Sequence, residues 1–370
     1  MMRTTQCVTV SLERAPQRTY NVFIEAGMLD RVAERVRATW HGRRVFIITD
    51  THVERLFGRH VLGTFVHEGV EAKMTSFAAG EQSKTAATVQ RLFSFLLRHG
   101  IDRRSLIVAL GGGVVGDVAG FVAATILRGV PYVHIPTTLL AQVDSSVGGK
   151  VGINHRLGKN LIGAFHQPVA VFVDPNTLET LPRAEYRNGL AEIVKIAATR
   201  DATLFAHLER HPTAIAQAKL SVLVDVIARA IALKASIVER DEREAHLRKT
   251  LNVGHTIGHA IEAASGYTIR HGEALAMGLA AETHLAVAMG VLVPAVRARI
   301  VRLLRAFGLP VRFPVIKQRA RFLSALAADK KAEGGTPTFV LLEDIGKVMI
   351  GAKVPSVFIQ QLLADGVPLR

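Results

Sequence analysis

Cysteine is nearly absent from this 370-residue chain, which contains Cys7 and no other. A single cysteine excludes an internal disulfide and any cysteine-rich zinc module, so a bound metal would need His and carboxylate ligands. Scarcity of cysteine is typical of proteins from reducing compartments, and we therefore expect a cytoplasmic location.

Long apolar runs are also missing. The first residues lack the apolar core of a secretory signal peptide, and no stretch of about 20 apolar residues could cross a bilayer. The most apolar region, 274–296, is interrupted by Glu282 and His284, which predicts a buried helix. We expect no membrane partner.

Acidic and aromatic residues are few relative to basic ones. Lys and Arg number 46, Asp and Glu 31, and the net charge is +15, while aromatic residues make up 6%. The basic residues are scattered, whereas single-stranded nucleic acid is bound where aromatic side chains accompany the basic ones. A basic solvated surface is the first explanation, an active site for a polyanionic small molecule the second and a nucleic-acid partner the third. We expect no nucleic acid.

Strand and helix patterns alternate over the first 180 residues. Short β-branched runs predict strands at 8–12, 20–24, 44–49, 105–110, 130–135 and 169–173, and apolar periodicity predicts helices at 29–39 and 85–99. From 184 to 307 the pattern is mostly helical, and a small hairpin is predicted at 338–342 and 347–350. We predict an α/β N-terminal domain, 1–178, and an all-α C-terminal domain, 179–370.

Three glycines directly follow a predicted strand. Gly111, Gly113 and Gly116 fit the G-x-G-x-x-G pattern, in which a tight turn lets a pyrophosphate approach a helix N-terminus. Close packing is the alternative explanation, because the pattern alone is weak. The acidic residue that binds a ribose about 20 residues later in the common fingerprint is missing, and Asp50, at the end of an upstream strand, is the candidate.

The segment 136–168 is rich in glycine and in polar side chains. It contains Asp144, Lys150, Lys159 and Asn160 among glycines and apolar residues. A loop of this length in a compact domain is usually functional or disordered. Lysines beside glycines suit an anionic ligand, and we favour that function over a solvated surface loop.

Histidines and carboxylates form a third group of candidates. Glu192 and Lys195 share a predicted helix at 185–199, while His255 and His259 are four apart and would share a helical face. His271 follows after a turn. A histidine is more often structural than a ligand, and spacing alone would pair His255 with His259. Histidine plus a carboxylate with an open position is the pattern of catalytic zinc, so the choice of ligands stays open at this point.

Five stretches of the sequence resemble the 3-dehydroquinate synthase family of the sugar-phosphate cyclase superfamily. They are GGGVVGDVAGFVAATILRG (111–129), PTTLLAQVDSSVGGKVGINHRLGKNLIGAFHQP (136–168), GLAEIVK (189–195), LRKTLNVGHTIGHAIE (247–262) and HGEALAMG (271–278). The resemblance extends from about residue 50 to the DKK at 329–331. It implies an NAD⁺-binding Rossmann-like domain, a helical metal- and substrate-binding domain, an active site in the cleft between them, and a homodimer.

The resemblance also implies roles for individual residues. One divalent metal, zinc or cobalt, would be held by Glu192, His255 and His271, so that His259 would serve the substrate. NAD⁺ would contact Asp50, Glu81, Lys84, Gly113, Val114, Val115, Gly116, Asp117, Thr137, Thr138, Lys150, Lys159, Thr177, Leu178, Glu179 and Thr180. The substrate would contact Asp144, Lys150, Lys159, Asn160, Lys195, Lys234, Arg248, Asn252, His259 and one of Lys330 and Lys331. The implied catalytic residues are Lys150, Glu244, Arg248, Asn252 and His259.

The reaction that the resemblance implies converts 3-deoxy-D-arabino-heptulosonate 7-phosphate to 3-dehydroquinate and phosphate, a step of the shikimate pathway. It would run through transient oxidation by NAD⁺, β-elimination of phosphate, re-reduction, ring opening and intramolecular aldol closure. The alternatives are another sugar-phosphate cyclase and a metal-dependent polyol dehydrogenase. Arg248, Asn252 and His259 favour 3-dehydroquinate synthase among the cyclases, and the many lysines are unexpected in a dehydrogenase. A non-enzymatic binding protein is disfavoured, because buried charges destabilise a fold unless they are paired or used.

Overall fold

The computed structural model describes residues 6–10, 19–327 and 337–365. These residues form two compact units. The first extends to Leu181 and includes Lys234–Glu242, and the second comprises Pro182–Leu233 and the residues from Arg243 onward. Within the described ranges, no helix combines the length and the apolar character that crossing a membrane requires.

The first unit is built on a seven-stranded sheet. Its strands are β1 (Gln6–Val10), β2 (Tyr20–Ile24), β3 (Arg44–Asp50), β4 (Glu71–Phe77), β5 (Leu106–Gly111), β6 (Tyr132–Pro136), β7 (Lys150–His155), β8 (Gly158–Phe165) and β9 (Ala170–Val173). All except β7 and β8 form the sheet, in the order β1-β2-β9-β6-β5-β3-β4. The pairing is parallel except between β1 and β2. Every residue of β5 and β6 is buried, as expected for parallel strands covered on both faces.

Helices cover both faces of this sheet. They are α1 (Val32–Thr39), α2 (Thr51–Val53), α3 (Arg59–His67), α4 (Ala86–Arg98) and α5 (Gly113–Thr125). Val36 of α1 and Phe65 of α3 pack with Val108 of β5 in the core on one face. Leu92 of α4 and Val118 of α5 pack in the core on the other face. The alternation of strands and helices predicted this layered arrangement, and the structure confirms it.

Two parts of the first unit differ from the sequence-based expectation. Strand β4 is not predicted, because Phe77 is its only fully buried residue and the pattern is weak. The segment 136–168 is not the loop that its composition predicts. It contains a π-helical turn, Ala141–Ser145, and the antiparallel hairpin of β7 and β8. Glycines hide the strand pattern there: a Cβ on Gly152 would lie 2.5 Å from the carbonyl oxygen of Ile162 on the facing strand.

In the residues that the structure describes, the second unit is helical apart from one hairpin. Its elements are α6 (Arg183–Arg200), α7 (Ala202–Arg210), α8 (Pro212–Ala216), α9 (Leu220–Arg240), α10 (His255–Ala264), α11 (His271–Ala288), α12 (Pro294–Ala306), α13 (Arg319–Ala327), β10 (Thr338–Asp344), β11 (Lys347–Lys353) and α14 (Ser356–Asp365). The hairpin β10–β11 is predicted from the sequence, and it corrects the expectation of an all-α domain. The last turns of α9, from Lys234, belong to the first unit.

Helices α6 and α11 are buried along most of their length. Burial on most sides is typical of helices packed in the interior of a unit. Helix α11 approaches α10 very closely, since a Cβ on Gly278 would lie 2.1 Å from the carbonyl oxygen of Gly254. This contact fixes the separation of the two helices whose first residues are His255 and His271.

Candidate active site

The candidate nucleotide residues of the first unit lie at one edge of the sheet. They follow the carboxyl ends of their strands: Asp50 on β3, Glu81 and Lys84 after β4, Gly113 after β5, Thr137 and Thr138 after β6, and Thr177, Leu178, Glu179 and Thr180 after β9. In open α/β sheets, this edge is where ligands bind. Because β3 pairs directly with β5, Asp50 ends beside the glycine turn although it is far from it in sequence.

The glycine turn leads directly into α5. Gly112 is the N-cap residue and Gly113 the first residue of the helix. Gly116 faces the protein interior, where a Cβ would lie 2.3 Å from Cε1 of the buried His134 ring. Close packing therefore explains why position 116 must be glycine. The turn is also followed by a helix N-terminus, whose free backbone amides suit an anion.

Behind the glycine turn, His134 is fully enclosed. Burial lowers the pKa of His134 to about 4, so the ring is neutral at pH 7. Its Nε2 has no hydrogen-bond partner in the part of the chain that the structure describes. The ring thus acts as an uncharged packing group beneath the first turn of α5.

Lys84 joins three segments of the first unit. Its buried ammonium group donates to the carboxylate of Asp117 on α5 and to the side-chain oxygen of Asn160 on β8. Burial raises the pKa of Asp117, although the charge of Lys84 opposes that rise. Glu81 accepts a hydrogen bond of 2.7 Å from Asn154 of β7. The structure therefore brings Glu81, Lys84, Asp117 and Asn160 together.

A second buried lysine lies against the π-helical turn. Lys234 Nζ is 2.6 Å from Asp144 Oδ1 and also donates to the carbonyl oxygen of Asp144. Two further candidate lysines lie on the nearby hairpin, where Lys150 is exposed at the start of β7 and Lys159 is half-buried on β8. The first unit thus supplies several cationic side chains that a phosphorylated ligand could contact.

Gln142 connects two of the candidate nucleotide segments. Its Nε2 donates to the carbonyl oxygens of Pro136 and Asp174 and to Thr177 Oγ1, at 3.3, 3.1 and 3.1 Å. These bonds tie the end of β6 to the turn after β9. Of the residues in that turn, Thr177 and Leu178 are buried and Glu179 and Thr180 are exposed.

A candidate metal centre lies in the second unit. Glu192 Oε1 is 3.1 Å from Nε2 of His271 and 3.4 Å from Nε2 of His255. One ligand atom of each residue lies within 4.8 Å of those of the other two. Two imidazoles and one carboxylate fit a catalytic zinc site, which keeps a further position open. The two histidines of this group are His255 and His271, whereas spacing alone pairs His255 with His259.

Charges around Glu192 favour its ionised form. Burial opposes ionisation, but the ammonium group of Lys195 at 2.5 Å and hydrogen bonds from both histidines hold the pKa of Glu192 well below its usual range. Burial lowers the pKa of His255, partly offset by Glu192. Burial also acts to lower the pKa of His271, but hydrogen bonds with Glu192 and Glu262 raise it to about 10. The two carboxylates therefore favour the protonated form of the His271 ring.

Glu262 orients His271 from the other side of the ring. Its Oε2 is 3.3 Å from Nδ1 of His271. Metal-binding histidines are commonly held in this way by a carboxylate on the second ring nitrogen. Glu262 is not among the site residues predicted from the sequence, although His255, His259 and Glu262 repeat at the spacing of one face of α10, a pattern that indicates it.

The remaining candidates of the second unit lie next to this centre in sequence. Arg248 is buried in the 3₁₀ turn Leu247–Asn252, and Asn252 Nδ2 donates to Glu244 Oε1 at 3.0 Å. Glu244 has a φ of 60°, an uncommon conformation for a residue with a Cβ. His259 is exposed, with its ring centroid 5.1 Å from that of His255. Lys330 and Lys331 lie outside the described residues.

An α/β sheet with a glycine turn, together with a helical unit carrying two histidines and a carboxylate, is typical of metal-dependent enzymes that also use a dinucleotide. The family model described as 3-dehydroquinate synthase N-terminal matches residues 74–188, and the one described as 3-dehydroquinate synthase C-terminal matches residues 189–332. The chain belongs to the 3-dehydroquinate synthase family.

Curated relatives are similar in sequence to this chain over nearly its whole length. A 3-dehydroquinate synthase of Desulforamulus reducens is 43% identical over 349 residues, covering 94% of this chain and 97% of the relative. A 3-dehydroquinate synthase of Geobacter metallireducens is 46% identical, covering 89% of this chain and 91% of the relative.

Solved structures of sugar-phosphate cyclases share the fold. A 2-epi-5-epi-valiolone synthase from Streptomyces hygroscopicus subsp. jinggangensis, with NAD⁺ and Zn²⁺ bound, has a TM-score of 0.86 at 29% identity and covers 95% of this chain and 98% of that one. A 2-deoxy-scyllo-inosose synthase complexed with carbaglucose-6-phosphate, NAD⁺ and Co²⁺ has a TM-score of 0.87 at 26% identity, covering 98% and 100%. A probable glycerol dehydrogenase from Sinorhizobium meliloti, at 17% identity and a TM-score of 0.64, shares the fold alone.

Proposed function

We propose that this chain is a 3-dehydroquinate synthase that converts 3-deoxy-D-arabino-heptulosonate 7-phosphate to 3-dehydroquinate and phosphate. The observation that carries the proposal is the Glu192–His255–His271 group, found within a chain 43% identical over 349 residues to a 3-dehydroquinate synthase. Two imidazoles and one carboxylate are suitable ligands for a catalytic divalent ion, and the proposed reaction is that of the family.

NAD⁺ and one divalent ion, zinc or cobalt, are the cofactors that the proposal requires. Bound NAD⁺ supplies reversible hydride transfer, and the metal ion supplies Lewis acidity toward substrate hydroxyls. Glu192, His255 and His271 would hold the ion. The glycine turn, Asp50, Glu81, Lys84 and the residues after β6 and β9 would hold the dinucleotide, in keeping with their position at the carboxyl edge of the sheet.

Basic side chains would neutralise the two anionic groups of the substrate. Arg248 can bind a carboxylate or a phosphate through two parallel hydrogen bonds, whereas lysines act as point charges. Lys150, Lys159 and Lys234 would complete the anion contacts, with Asp144, Asn160, Lys195 and Asn252 orienting the substrate. Lys195 and Lys234 are paired with Glu192 and Asp144, which offsets the cost of burying their charges.

His259 would transfer a proton near the leaving phosphate. Glu244 would orient Asn252. His259 is exposed on the face of α10 that also carries His255, so a substrate could reach its ring. An imidazole exchanges protons readily near neutral pH, which suits this role.

Three further expectations belong to the proposal: a homodimer, a cytoplasmic location, and no nucleic-acid or membrane partner. The chain would act on a small sugar phosphate. These expectations follow from the family and the composition, and each can be measured directly by ultracentrifugation, by localisation and by binding assays.

Substrate choice tests the proposal against the other cyclases. Purified protein with NAD⁺ and Zn²⁺ would be offered 3-deoxy-D-arabino-heptulosonate 7-phosphate and glucose 6-phosphate separately, and released phosphate would be measured. We expect phosphate from the heptulosonate alone. Phosphate release from glucose 6-phosphate alone would instead indicate another cyclase of the superfamily.

A further inference from the structure

The helix that carries His255 and His259 begins without a local cap. Its N-cap residue is Gly254, which has a φ of 80° and no side chain to accept a hydrogen bond. A helix N-terminus leaves backbone N–H groups unsatisfied, and a buried group of this kind destabilises the end of the helix unless an acceptor reaches it. The first turn of α10 therefore needs an acceptor from elsewhere.

Glu282 of α11 supplies that acceptor. Its Oε2 accepts from the backbone N–H of Gly254 at 2.6 Å, and its Oε1 accepts from that of Ile257 at 3.0 Å. Gly254 is the N-cap position and Ile257 the third residue of the helix. These are the two donors that a capping box satisfies with two local side chains, and here one carboxylate from a neighbouring helix satisfies both.

The position of Glu282 makes this contact rigid. The side chain is 1% exposed, so water competes little for the carboxylate. Its negative charge also lies at the positive end of the α10 dipole, where an anion is stabilising. The close contact of Gly278 with Gly254 fixes the separation of α10 and α11, and Glu282 lies one helical turn further along α11.

We propose that Glu282 is a positioning residue for the metal centre, which holds the first turn of α10 so that the His255 ring faces Glu192 and His271. The proposal rests on the proposed function, because the metal centre is part of it. Glu282 accepts hydrogen bonds from the backbone on both sides of His255, and it is not one of the candidate metal-binding residues. Glu282 thereby fixes the backbone position from which the His255 side chain extends. Helix α11, which carries Glu282, also carries His271 as its first residue.

The test measures metal affinity directly. The metal-free protein would compete with a chromophoric chelator for Zn²⁺, giving a Kd for the unaltered chain, for Glu282→Ala and for Glu282→Gln. Loss of a group that orients a metal ligand typically weakens metal binding about 10- to 100-fold, and we expect this range for Glu282→Ala. Glu282→Gln keeps one acceptor oxygen and turns an NH₂ group toward the second backbone donor, so we expect a smaller loss.

Thr283→Ala is the matched control. Thr283 is the next residue of α11 and is equally buried, but its hydroxyl donates to the carbonyl oxygens of Leu279 and Ala280 within the same helix. We expect the zinc Kd of this variant to stay within about twofold of the unaltered chain, since its hydrogen bonds do not reach α10. The visible spectrum of bound Co²⁺ gives a second readout, which should change in Glu282→Gln and stay constant in Thr283→Ala.

The outcomes separate this inference from the proposed function. A folded Glu282→Ala or Glu282→Gln with an unchanged zinc Kd, while His271→Ala loses zinc, would overturn the role of Glu282 and leave the metal centre in place. An equal loss in Thr283→Ala would also overturn it, because general destabilisation would then be the cause. Failure of the unaltered chain to bind one zinc ion would overturn both proposals together.

Discussion

The His271 ring contacts a different carboxylate through each of its nitrogens. Nε2 faces Glu192 and Nδ1 faces Glu262, whereas His259 is exposed on the neighbouring helix. These two surroundings suit different tasks. A ring fixed from both sides suits metal ligation, and an accessible ring suits proton exchange with a substrate.

Alanine substitutions should therefore separate the two histidines. We expect His271→Ala to lose bound zinc and turnover together, because one of the three proposed ligands is removed. We expect His259→Ala to keep one zinc per chain and to lose turnover. Zinc content by atomic emission, measured with phosphate release, checks both. Full zinc content in His271→Ala would contradict the ligand assignment.

The buried His134 ring should make stability depend on pH. Its pKa is about 4 in the folded chain and about 6.5 when exposed. Between these values the unfolded chain binds the proton and the folded chain does not, so the free energy of unfolding falls as pH falls from 6.5 to 4. The full contribution is about 3 kcal/mol.

His134→Gln should remove most of this dependence, because glutamine does not titrate. We expect the drop in melting temperature between pH 7 and pH 5 to be smaller in the variant than in the unaltered chain. Thermal unfolding of both proteins at the two pH values provides the measurement. Equal drops would show that His134 does not titrate on unfolding as proposed.

At the scale of elements, α5 is held against the sheet by a contact between Gly116 and the His134 ring. A methyl group at position 116 would lie 2.3 Å from Cε1 of the ring, and both groups are buried. The first turn of α5 must therefore move if any side chain is added. That turn carries the backbone amides proposed to bind the dinucleotide.

Gly116→Ala should weaken NAD⁺ binding and lower the free energy of unfolding by about 1–3 kcal/mol, as overpacking does. Equilibrium titration with NAD⁺ and urea unfolding measure the two effects. Gly63→Ala in α3 is the control, since nothing lies within 4 Å of its Cβ and alanine favours a helix. Adding His134→Ala to Gly116→Ala should restore part of the NAD⁺ affinity, and no restoration would contradict the proposed clash.

Elements with a clear burial pattern are also those that the sequence predicts well. β3, β5, β6 and β9 are short β-branched runs buried on both faces, and all four are predicted within two residues. β4 is missed because it is half-buried along most of its length. The hairpin of β7 and β8 is missed because its strands approach so closely that glycine is required. Glycine-rich segments are usually predicted to be loops.

Contacts between segments that are distant in the chain could not be derived from local sequence patterns. His255 and His259 are paired by spacing, yet the atoms that face Glu192 belong to His255 and His271. In the sequence, Glu282 only interrupts an apolar segment. Its two hydrogen bonds with the backbone of α10 depend on how the two helices pack. Periodicity left the metal ligands open, and the family resemblance implied the candidate set.

For the whole molecule, the chemistry divides between two units. The first contains the sheet edge with the glycine turn and the ion pairs of Lys84 and Lys234, and the second contains the candidate metal centre and Arg248. The proposed reaction needs both a dinucleotide and a metal in one catalytic cycle. The dinucleotide would supply reversible hydride transfer in that reaction, so NAD⁺ would not be consumed overall.

The most direct test follows phosphate and NADH in the same reaction. The protein would receive 3-deoxy-D-arabino-heptulosonate 7-phosphate, NAD⁺ and Zn²⁺, with a parallel sample containing a chelator. We expect many phosphates released per chain with no accumulation of NADH, and no phosphate release in the chelated sample. NADH accumulating with a polyol, without release of phosphate from the heptulosonate, would contradict the account and indicate a dehydrogenase.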